Sequence, residues 1–224
     1  MADALCNIFN QSLNFGTVPN DWRHANVTQI YKNGVRSKPE NYRPINLTCI
    51  ASKVMKHIVT SHIMKFLEGN NLLYPKQHGF RAKLSCVKQL VELVADISME
   101  MDNGKEVDAC LLDFSKVLDK MSHAKLLTKM TSMGIGEQIT NWTVAFLRDI
   151  TQIVTLQAAS SNPCPVTSGV PQESVVGPAL FLLYINDLPY QVKSKVRLFA
   201  NDTIIYATSD NSDQLMTALR CLEQ

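Results

Sequence analysis

The chain has 224 residues, of which 46 % are hydrophobic, so it is long enough to bury a sizeable core in one large domain or two small ones. The net charge of +2 implies no particular partner, although residues 1–100 carry 12 Lys and Arg against 7 Asp and Glu, whereas residues 101–224 carry 10 against 13. Ordinary surface charge explains this asymmetry, and so does a polyanion-binding surface beside a metal site. The sequence contains no apolar stretch of about 18 residues, no signal-peptide pattern and no closely spaced cysteine pair, which favours an intracellular protein, cytoplasmic or nuclear, without a membrane span.

The first hundred residues alternate between helical patterns and polar loops. Apolar residues at helical spacing predict a helix over 3–15, and a strand is expected over 27–31 before the polar loop 32–43. Ser52 is the expected cap of a helix that runs to about residue 67. The clearest helix covers 85–101, and its apolar stripe consists of Val87, Leu90, Val91, Val94, Ile97 and Met101.

The remainder of the chain reads as short strands between helices. A buried strand is predicted over 107–112, helices from about His123 and over 141–148, and a strand over 153–157. Pro178 suits the first turn of a helix that Pro189 is expected to end. A hairpin over 196–206 and an amphipathic segment over 215–222 follow. Because the sequence contains no clean linker, one continuous body is expected.

Two places in this half carry acidic residues at strand ends. Asp113 follows the apolar strand Cys110-Leu111-Leu112, and Phe199-Ala200-Asn201-Asp202 forms the polar tip of the hairpin. An acid at a strand end is often only a solvated turn residue. When strands that end in acids lie side by side, their carboxylates can bind two Mg²⁺ ions, which activate an attacking hydroxyl and stabilise a leaving pyrophosphate.

Five longer strings surround these acids in a fixed order, and together they resemble the reverse transcriptase of a non-LTR (LINE-type) retrotransposon of the jockey or CR1 sort. The resemblance extends from about residue 9 to residue 222. The strings are Asn41-Tyr42-Arg43-Pro44-Ile45-Asn46-Leu47, Gln77-His78-Gly79-Phe80-Arg81, Leu112-Asp113-Phe114-Ser115-Lys116, Ser168-Gly169-Val170-Pro171-Gln172, and Gly177-Pro178 through Phe181-Leu182-Leu183-Tyr184-Ile185-Asn186-Asp187-Leu188-Pro189.

The resemblance implies an α+β fold, the fingers and palm of a right-hand polymerase, in which an antiparallel palm sheet is backed by helices. Residues 1–105 would be mainly fingers and 106–224 mainly palm, with the two interleaved. The implied reaction is RNA-directed DNA synthesis, with an RNA template, a DNA primer, a dNTP and two Mg²⁺ ions, and with no small-molecule cofactor or membrane. Since only 22 residues follow Asp202, a thumb is not expected in this chain. The oligomeric state stays open.

The resemblance also implies roles at the metal site. Asp113 corresponds to the first catalytic aspartate, the carbonyl of Phe114 to a further metal ligand, and Asn201 and Asp202 to the two acids of the family's hairpin. In the family the first of those two acids is the essential ligand, and here it is an amide. Asp187, in the last string, is expected to be structural rather than catalytic.

Further residues match the nucleotide and nucleic-acid sites of the family. Lys32 and Arg43 would hold the triphosphate, Gln172 would line the nucleotide pocket, and Leu118 would stand where a usually aromatic residue excludes a ribose 2′-hydroxyl. Arg81 and Gly169 match nucleic-acid-binding positions. Three of them have a simpler interpretation, in which Lys32 is a solvated loop charge, Arg81 caps a helix and Gly169 meets a backbone requirement. His78 and His123 are expected to pack or to donate hydrogen bonds.

Three departures from the family pattern predict impaired catalysis. Asn201 offers an oxygen without charge, so the site loses one of three anions that hold two divalent cations. Glu173 adds bulk and negative charge where the family has Gly, and Leu118 loosens the choice between deoxyribose and ribose. The alternatives are a nucleic-acid-binding remnant that performs no chemistry and a relic of a decayed element without a selected role.

Overall fold

The computed structural model describes residues 2–114, 117–156, 159–170, 174–208, 213 and 215–217. The chain folds into two compact units that interleave along the sequence. The first comprises Met1–Leu67 and Leu118–Leu180, and the second comprises Glu68–Val117 and Phe181–Gln224. The assignment of fingers to residues 1–105 and of palm to residues 106–224 stays a prediction.

Eight helices are present in the described part of the chain, and none of them is both long and apolar enough to cross a bilayer. They are α1 (Ala2–Phe15), α2 (Ile50–Gly69), α3 (Cys86–Asp102), α4 (Val117–Lys120), α5 (His123–Ser132), α6 (Glu137–Leu147), α7 (Gly177–Ile185) and α8 (Leu188–Gln191).

The described strands form two sheets. The first sheet has the order β2-β1-β4-β5, with β6 also paired to β4, and the second has the order β3-β8-β7. The strands are β1 (His24–Tyr31), β2 (Tyr42–Leu47), β3 (Val107–Asp113), β4 (Thr151–Leu156), β5 (Ala159–Ser160), β6 (Cys164–Pro165), β7 (Lys195–Phe199) and β8 (Asp202–Thr208).

In the first unit, β1 pairs antiparallel with β2 and parallel with β4. The core of this unit includes Trp142 of α6, which is fully buried and donates its indole N–H to Ser12 Oγ of α1 at 3.0 Å. The α6 residues Ile139, Trp142 and Phe146 recur at helical spacing, so one face of the helix is apolar and packs inward. A mixed sheet with helices thus forms this unit.

In the second unit, the three strands are antiparallel throughout. The chain segment Phe181–Ile185 of α7 supplies much of the core, because Phe181, Leu182 and Leu183 are all buried. A helix that is apolar on every side is stable only when it is surrounded by other elements. The mixed α and β composition and the antiparallel sheet confirm the predicted fold class of polymerase fingers and palm.

Several element predictions are confirmed in kind and shifted at their ends. The helix predicted from Ser52 begins two residues earlier, so Ser52 is buried inside α2 and the predicted cap is wrong. The helix from Pro178 ends at Ile185, and Pro189 lies in the first turn of α8 instead of ending α7. The strand β2 was not predicted. Of the segment 215–222, only 215–217 are described, and they are helical.

Helix α3 is confirmed, and the structure shows that Ser85 caps it, since its side chain accepts a hydrogen bond from the Lys88 N–H. Its orientation differs from what an apolar stripe suggests. The polar side chains of Gln89, Glu92 and Asp96 contact the hairpin strand β7, because a buried arginine there requires acidic partners. The residues that remain 53–71 % exposed are Val87, Leu90, Val91, Val94 and Met101.

Candidate functional site

The acidic corner of the second unit lies where β3 and the hairpin end together. Asp113 is the last residue of β3 and pairs directly with Asp202, the first residue of β8. Directly opposed residues of antiparallel strands point to the same face with Cβ atoms about 5 Å apart, and two like charges in that position repel each other. A cation between the two carboxylates would turn this repulsion into attraction.

The hairpin tip brings Asn201 to the same corner. The Asn201 Nδ2 donates to Asp113 Oδ1 at 3.0 Å, and the Asn201 carbonyl accepts the N–H of Phe114 at 3.0 Å. The Phe114 carbonyl accepts the N–H of Val117 at 2.9 Å and retains a second lone pair. The structure therefore brings together Asp113, Phe114 and Asp202, the three predicted metal ligands, and Asn201, the position at which the expected acid is lost.

This set of donors suits a hard divalent cation, because carboxylate, amide and carbonyl oxygens are the ligands that Mg²⁺ and Mn²⁺ prefer. Its anionic charge is only −2 with both acids ionised. Among the described residues, no group of three or more His, Cys, Asp or Glu side chains is placed to hold a metal ion. The residues fit one divalent cation better than two, since Asn201 offers the corner a hydrogen-bond donor in place of a third anion.

In the body of the hairpin, Arg197 of β7 is buried within an ion-pair cluster that was not predicted. Its guanidinium bonds Glu92 Oε2 at 2.9 Å and Asp96 Oδ2 at 2.6 Å, and its Nε also contacts the Tyr206 hydroxyl. The hydrogen bond from Arg197 lowers the pKa of Glu92. Burial, together with the bond that the hydroxyl donates to Asp96, raises the pKa of Tyr206 to about 12.

A signal for this cluster exists in the sequence. Arg197 interrupts an otherwise apolar strand, and α3 carries acids four residues apart at Glu92, Asp96 and Glu100, which places them on one helix face. The cluster attaches α3 to the two hairpin strands β7 and β8. It therefore supports the body of the hairpin whose tip carries Asn201 and Asp202.

The candidate nucleic-acid residue Arg81 has an intramolecular partner in the second unit. Its Nε and Nη2 donate to the two carboxylate oxygens of Glu68 at 2.8 and 2.7 Å, and its Nη1 donates to the carbonyls of Tyr74 and Gln77. This bidentate pair satisfies most of the guanidinium. A phosphate contact of Arg81 would compete with Glu68, and the nucleic-acid-binding role of Arg81 stays a prediction.

The predicted triphosphate cations lie in the first unit on the β1–β2 hairpin. Lys32 follows β1 directly, and its N–H donates to the Asn41 carbonyl at 2.9 Å. Arg43 stands opposite Ile30 in the antiparallel register. Both cationic side chains are exposed. The hairpin thus presents two exposed cations near its loop.

Leu118 and Gly169 also belong to the first unit, where backbone hydrogen bonds hold them together. The Val170 N–H donates to the Leu118 carbonyl at 2.8 Å, and the Gly169 N–H donates to the Met121 carbonyl at 3.1 Å. Gly169 has a φ of 76°, which a residue with a Cβ adopts at a cost, and its carbonyl bonds His123 Nε2 at 2.7 Å. Gln172 and Glu173 lie outside the described residues.

A cavity of about 440 Å³ in the first unit connects two of the predicted motifs. Pro44 and Asn46, which follow Arg43, line one side, and Ser168 and Val170, which flank Gly169, line another. Two of the five motifs, which are more than a hundred residues apart in sequence, therefore line one concave surface within this unit.

Comparison with known proteins identifies the same family that the sequence motifs resemble. The family model described as "Reverse transcriptase (RNA-dependent DNA polymerase)" matches residues 30–224. The probable RNA-directed DNA polymerase from transposon BS of Drosophila melanogaster is 28 % identical over 183 residues, which cover 81 % of this chain and 20 % of the relative. The RNA-directed DNA polymerase from mobile element jockey of Drosophila funebris is 26 % identical and covers 96 % of this chain and 23 % of its own length.

The chain therefore spans about a fifth of the length of these curated relatives. Among solved structures, telomerase from Candida albicans in complex with a TWJ fragment of telomeric RNA superposes with a TM-score of 0.63 at 10 % identity. That match covers 96 % of this chain and 43 % of the telomerase chain. At such low identity the likeness concerns the fold alone.

Proposed function

Since the chain belongs to the reverse transcriptase family, and within it to the non-LTR retrotransposon type, we propose that its residues are built for RNA-directed DNA synthesis and that Asn201 impairs the reaction. The single observation that supports both halves of this proposal is the corner at the end of β3. There, two carboxylates oppose each other across adjacent strands, and an amide bonds one of them.

The proposed reaction is attack of a primer 3′-hydroxyl on the α-phosphate of a dNTP, which releases pyrophosphate. Asp113, Asp202 and the Phe114 carbonyl would hold the divalent cation, proposed to be Mg²⁺. When bound in this family's chemistry, the metal supplies Lewis-acid activation of the hydroxyl and neutralises charge on the leaving group. Because Asp113 and Asp202 would fix the position of that ion, their own placement at the strand ends would decide the rate.

The residues of the first unit are proposed to bind the remaining parts of the substrates. Lys32 and Arg43 would contact the triphosphate, because ammonium and guanidinium groups are the usual donors to phosphate oxygens. The cavity that Pro44 and Ser168 line would accept template or nucleotide. Leu118 and Gln172 would border the nucleotide sugar and base, with an RNA template and a DNA primer as the partners.

Impairment follows from the charge and hydrogen bonding of Asn201. A divalent cation at the corner would meet two anions instead of three, and Asn201 Nδ2 occupies an oxygen of Asp113 that a metal needs. Losing a ligand charge weakens metal binding and displaces the remaining ligands, and a displacement of about 1 Å costs roughly a hundredfold in rate. Glu173 is proposed to add to this loss.

The test compares single-nucleotide incorporation into a DNA primer on an RNA template by four chains. They are the chain itself, Asn201→Asp, Asn201→Asp with Glu173→Gly, and Asn201→Asp with Asp113→Asn. We expect incorporation only by the second and third chains, since the fourth again has two acids. Incorporation by the parent chain at the level of Asn201→Asp would refute impairment. Silence in all four, together with no binding of the primer–template duplex, would refute the polymerase function itself.

A remnant that binds nucleic acid without chemistry is the second candidate, and the amide at Asn201 is the observation that favours it. Such a chain would bind primer–template duplex with a steep dependence on salt, and the affinity would survive Asp113→Ala. Binding that is insensitive to salt, or that is lost in Asp113→Ala, would contradict it.

A further inference from the structure

The hairpin tip that carries Asn201 and Asp202 is contacted by a chain segment of the second unit that lies beside β7. Residues Lys76–His78 run parallel to β7 beside Leu198. The His78 N–H donates to the Leu198 carbonyl at 2.9 Å, and the Leu198 N–H donates to the Lys76 carbonyl at 3.1 Å. This pairing brings the Gln77 side chain directly beneath the tip.

The Gln77 amide is buried, with 3 % of the residue exposed, and it bonds both backbone groups of one tip residue. Its Oε1 accepts the N–H of Ala200 at 3.0 Å and the N–H of Gly79 at 2.8 Å, while its Nε2 donates to the Ala200 carbonyl at 3.3 Å. Two of these three hydrogen bonds hold Ala200, one at its N–H and one at its carbonyl. The residue that makes them was part of a sequence motif but had no predicted role.

Ala200 needs such support because its backbone is strained. It has a φ of 53°, which is the left-handed region, and a residue with a Cβ pays about 1 kcal/mol to adopt it. Glycine usually occupies the first position of such a two-residue hairpin turn. Without a partner for its N–H and carbonyl, the tip would relax toward another turn geometry.

Gly79 also lies in close contact with the backbone of Ala200. A Cβ on Gly79 would overlap the backbone nitrogen of Ala200 and lie 2.6 Å from its Cα. The backbone of Gly79 therefore packs directly against the tip. The tip is held by hydrogen bonds from Gln77 and by close backbone contact with Gly79.

The position of Ala200 in turn determines the corner. Asn201 follows it and accepts the Phe114 N–H, and Asp202 pairs with Asp113 in the strand register. We propose that Gln77 is a positioning residue, which acts through Ala200 to place the oxygens of Asn201 and Asp202 against Asp113. The metal-binding part of this proposal rests on the proposed function of the corner.

Gln89 offers a matched control in the same unit. It is also a buried glutamine, with 6 % exposed, and its Nε2 bonds the carbonyls of Lys76 and Leu198 at 2.8 and 3.1 Å. It thus supports the same segment and the same strand but makes no bond to the tip. Gln77→Met and Gln89→Met remove one buried amide each at similar volume.

The first readout needs no metal. In the chain itself, the NMR signals of the Asn201 side-chain amide report its hydrogen bond to Asp113, and hydrogen exchange reports protection of the Ala200 N–H. We expect Gln77→Met to shift the Asn201 signals and to speed exchange at Ala200 by about tenfold or more, as loss of about 1.4 kcal/mol of local protection implies. Gln89→Met should change neither, even where it lowers the melting temperature equally.

The second readout is Mn²⁺ affinity, measured by electron paramagnetic resonance in the Asn201→Asp background. There Gln77→Met should weaken binding about tenfold, which is the usual cost of removing a residue that orients a ligand. Gln89→Met should leave the affinity unchanged.

The two readouts separate the two claims. Unchanged Asn201 signals and unchanged exchange at Ala200 in Gln77→Met would overturn the positioning role. An equal effect of Gln89→Met on both readouts would overturn it as well, because the effect would then be general destabilisation. The metal function fails if Asn201→Asp binds no Mn²⁺, or if its Mn²⁺ binding persists when Asp113→Asn is added. The metal-free readout still decides the role of Gln77 in either case.

Discussion

Replacing Asn201 by Asp should make the stability of this chain depend on a divalent cation. In the structure, Asn201 Nδ2 donates to Asp113 Oδ1 at 3.0 Å, and Asp113 also faces Asp202. An aspartate has no donor at that position, so the substitution replaces an attractive contact with a third carboxylate beside two others.

The cost without metal has two parts. Loss of a hydrogen bond to a charged group is worth about 1.5 kcal/mol. Two unit charges about 4 Å apart repel by about 1 kcal/mol in water and by about 4 kcal/mol at the effective dielectric of a protein surface. Because Asp113 is exposed, the lower repulsion applies, and the total is about 2.5 kcal/mol.

A divalent cation reverses the sign of this effect, because each added carboxylate then becomes a ligand. Binding to the folded state alone at a hundredfold excess over its Kd contributes about 2.7 kcal/mol of stability. The third anion should therefore cost stability in EDTA and restore most of it in Mn²⁺.

Thermal unfolding of the parent chain and of Asn201→Asp, each in EDTA and in Mn²⁺, measures both effects. In EDTA the variant should melt lower by about 5 °C or more, and in saturating Mn²⁺ this gap should close or reverse. The control exchanges the two groups, Asn201→Asp with Asp113→Asn. It should recover the metal-free melting temperature, since amide and carboxylate only change places, and it should gain little from Mn²⁺.

Two results would refute the reasoning. One is an Asn201→Asp chain that melts like the parent in EDTA, which would mean that the amide contact to Asp113 contributes nothing. The other is an exchanged variant that gains as much from Mn²⁺ as Asn201→Asp, which would place the metal elsewhere.

Four further predictions concern the interior. Arg197→Met should lower the unfolding free energy by up to about 3 kcal/mol, since Asp96 then loses its ion-pair partner, while Glu92 keeps Lys76. Chemical denaturation would measure this loss, and an unchanged midpoint would contradict it. In the parent chain, the raised pKa of Tyr206 predicts a contribution to stability that is fully present below about pH 10 and is lost as the pH rises through about 12. The lowered pKa values of Glu92 and Asp96 predict a second loss of stability as the pH falls below the pKa values that these acids have in the unfolded chain. Melting curves across pH check both. Burial lowers the pKa of Lys56 to about 8, so Lys56→Met should stabilise by up to about 3 kcal/mol near neutral pH, and a lower melting temperature would disprove it. Gly79→Ala should displace Ala200 and destabilise the chain strongly, whereas Gly104→Ala, where a Cβ meets no atom within 4 Å, tests the backbone penalty of a positive φ alone; equal losses in the two would contradict the steric contact.

Local patterns predicted most elements well because they depend on residues close in sequence. The helix from residue 85, the strand before Asp113 and the hairpin around residues 199–202 all occur as expected. The predicted burial of the strand is wrong, because no residue of β3 is buried and Leu111 is 82 % exposed. The strand β2 was missed because Pro44 lacks an N–H and lowers strand propensity. In the structure, β2 lies at one end of the strand order, where a proline is tolerated, and Pro44 stands opposite Gln29.

Periodicity misjudged helix α3 for a different reason. An apolar stripe identifies a helix, but it does not say which face the rest of the protein will contact. Here Arg197 requires two acids in the interior, and they lie on the opposite side of the helix from Val91 and Val94. An unpaired buried guanidinium would cost more than leaving those apolar side chains in water.

The sequence by itself determined the family and the identities of the corner residues, because ordered motifs and strand-ending acids are properties of the linear chain. It also showed that Asn201 replaces an acid. Only the tertiary structure decided that Asn201 donates to Asp113 and that Gln77 holds Ala200, which is 123 residues away. Contacts at that separation depend on how strands and loops pack, and neither helical nor strand periodicity carries that information.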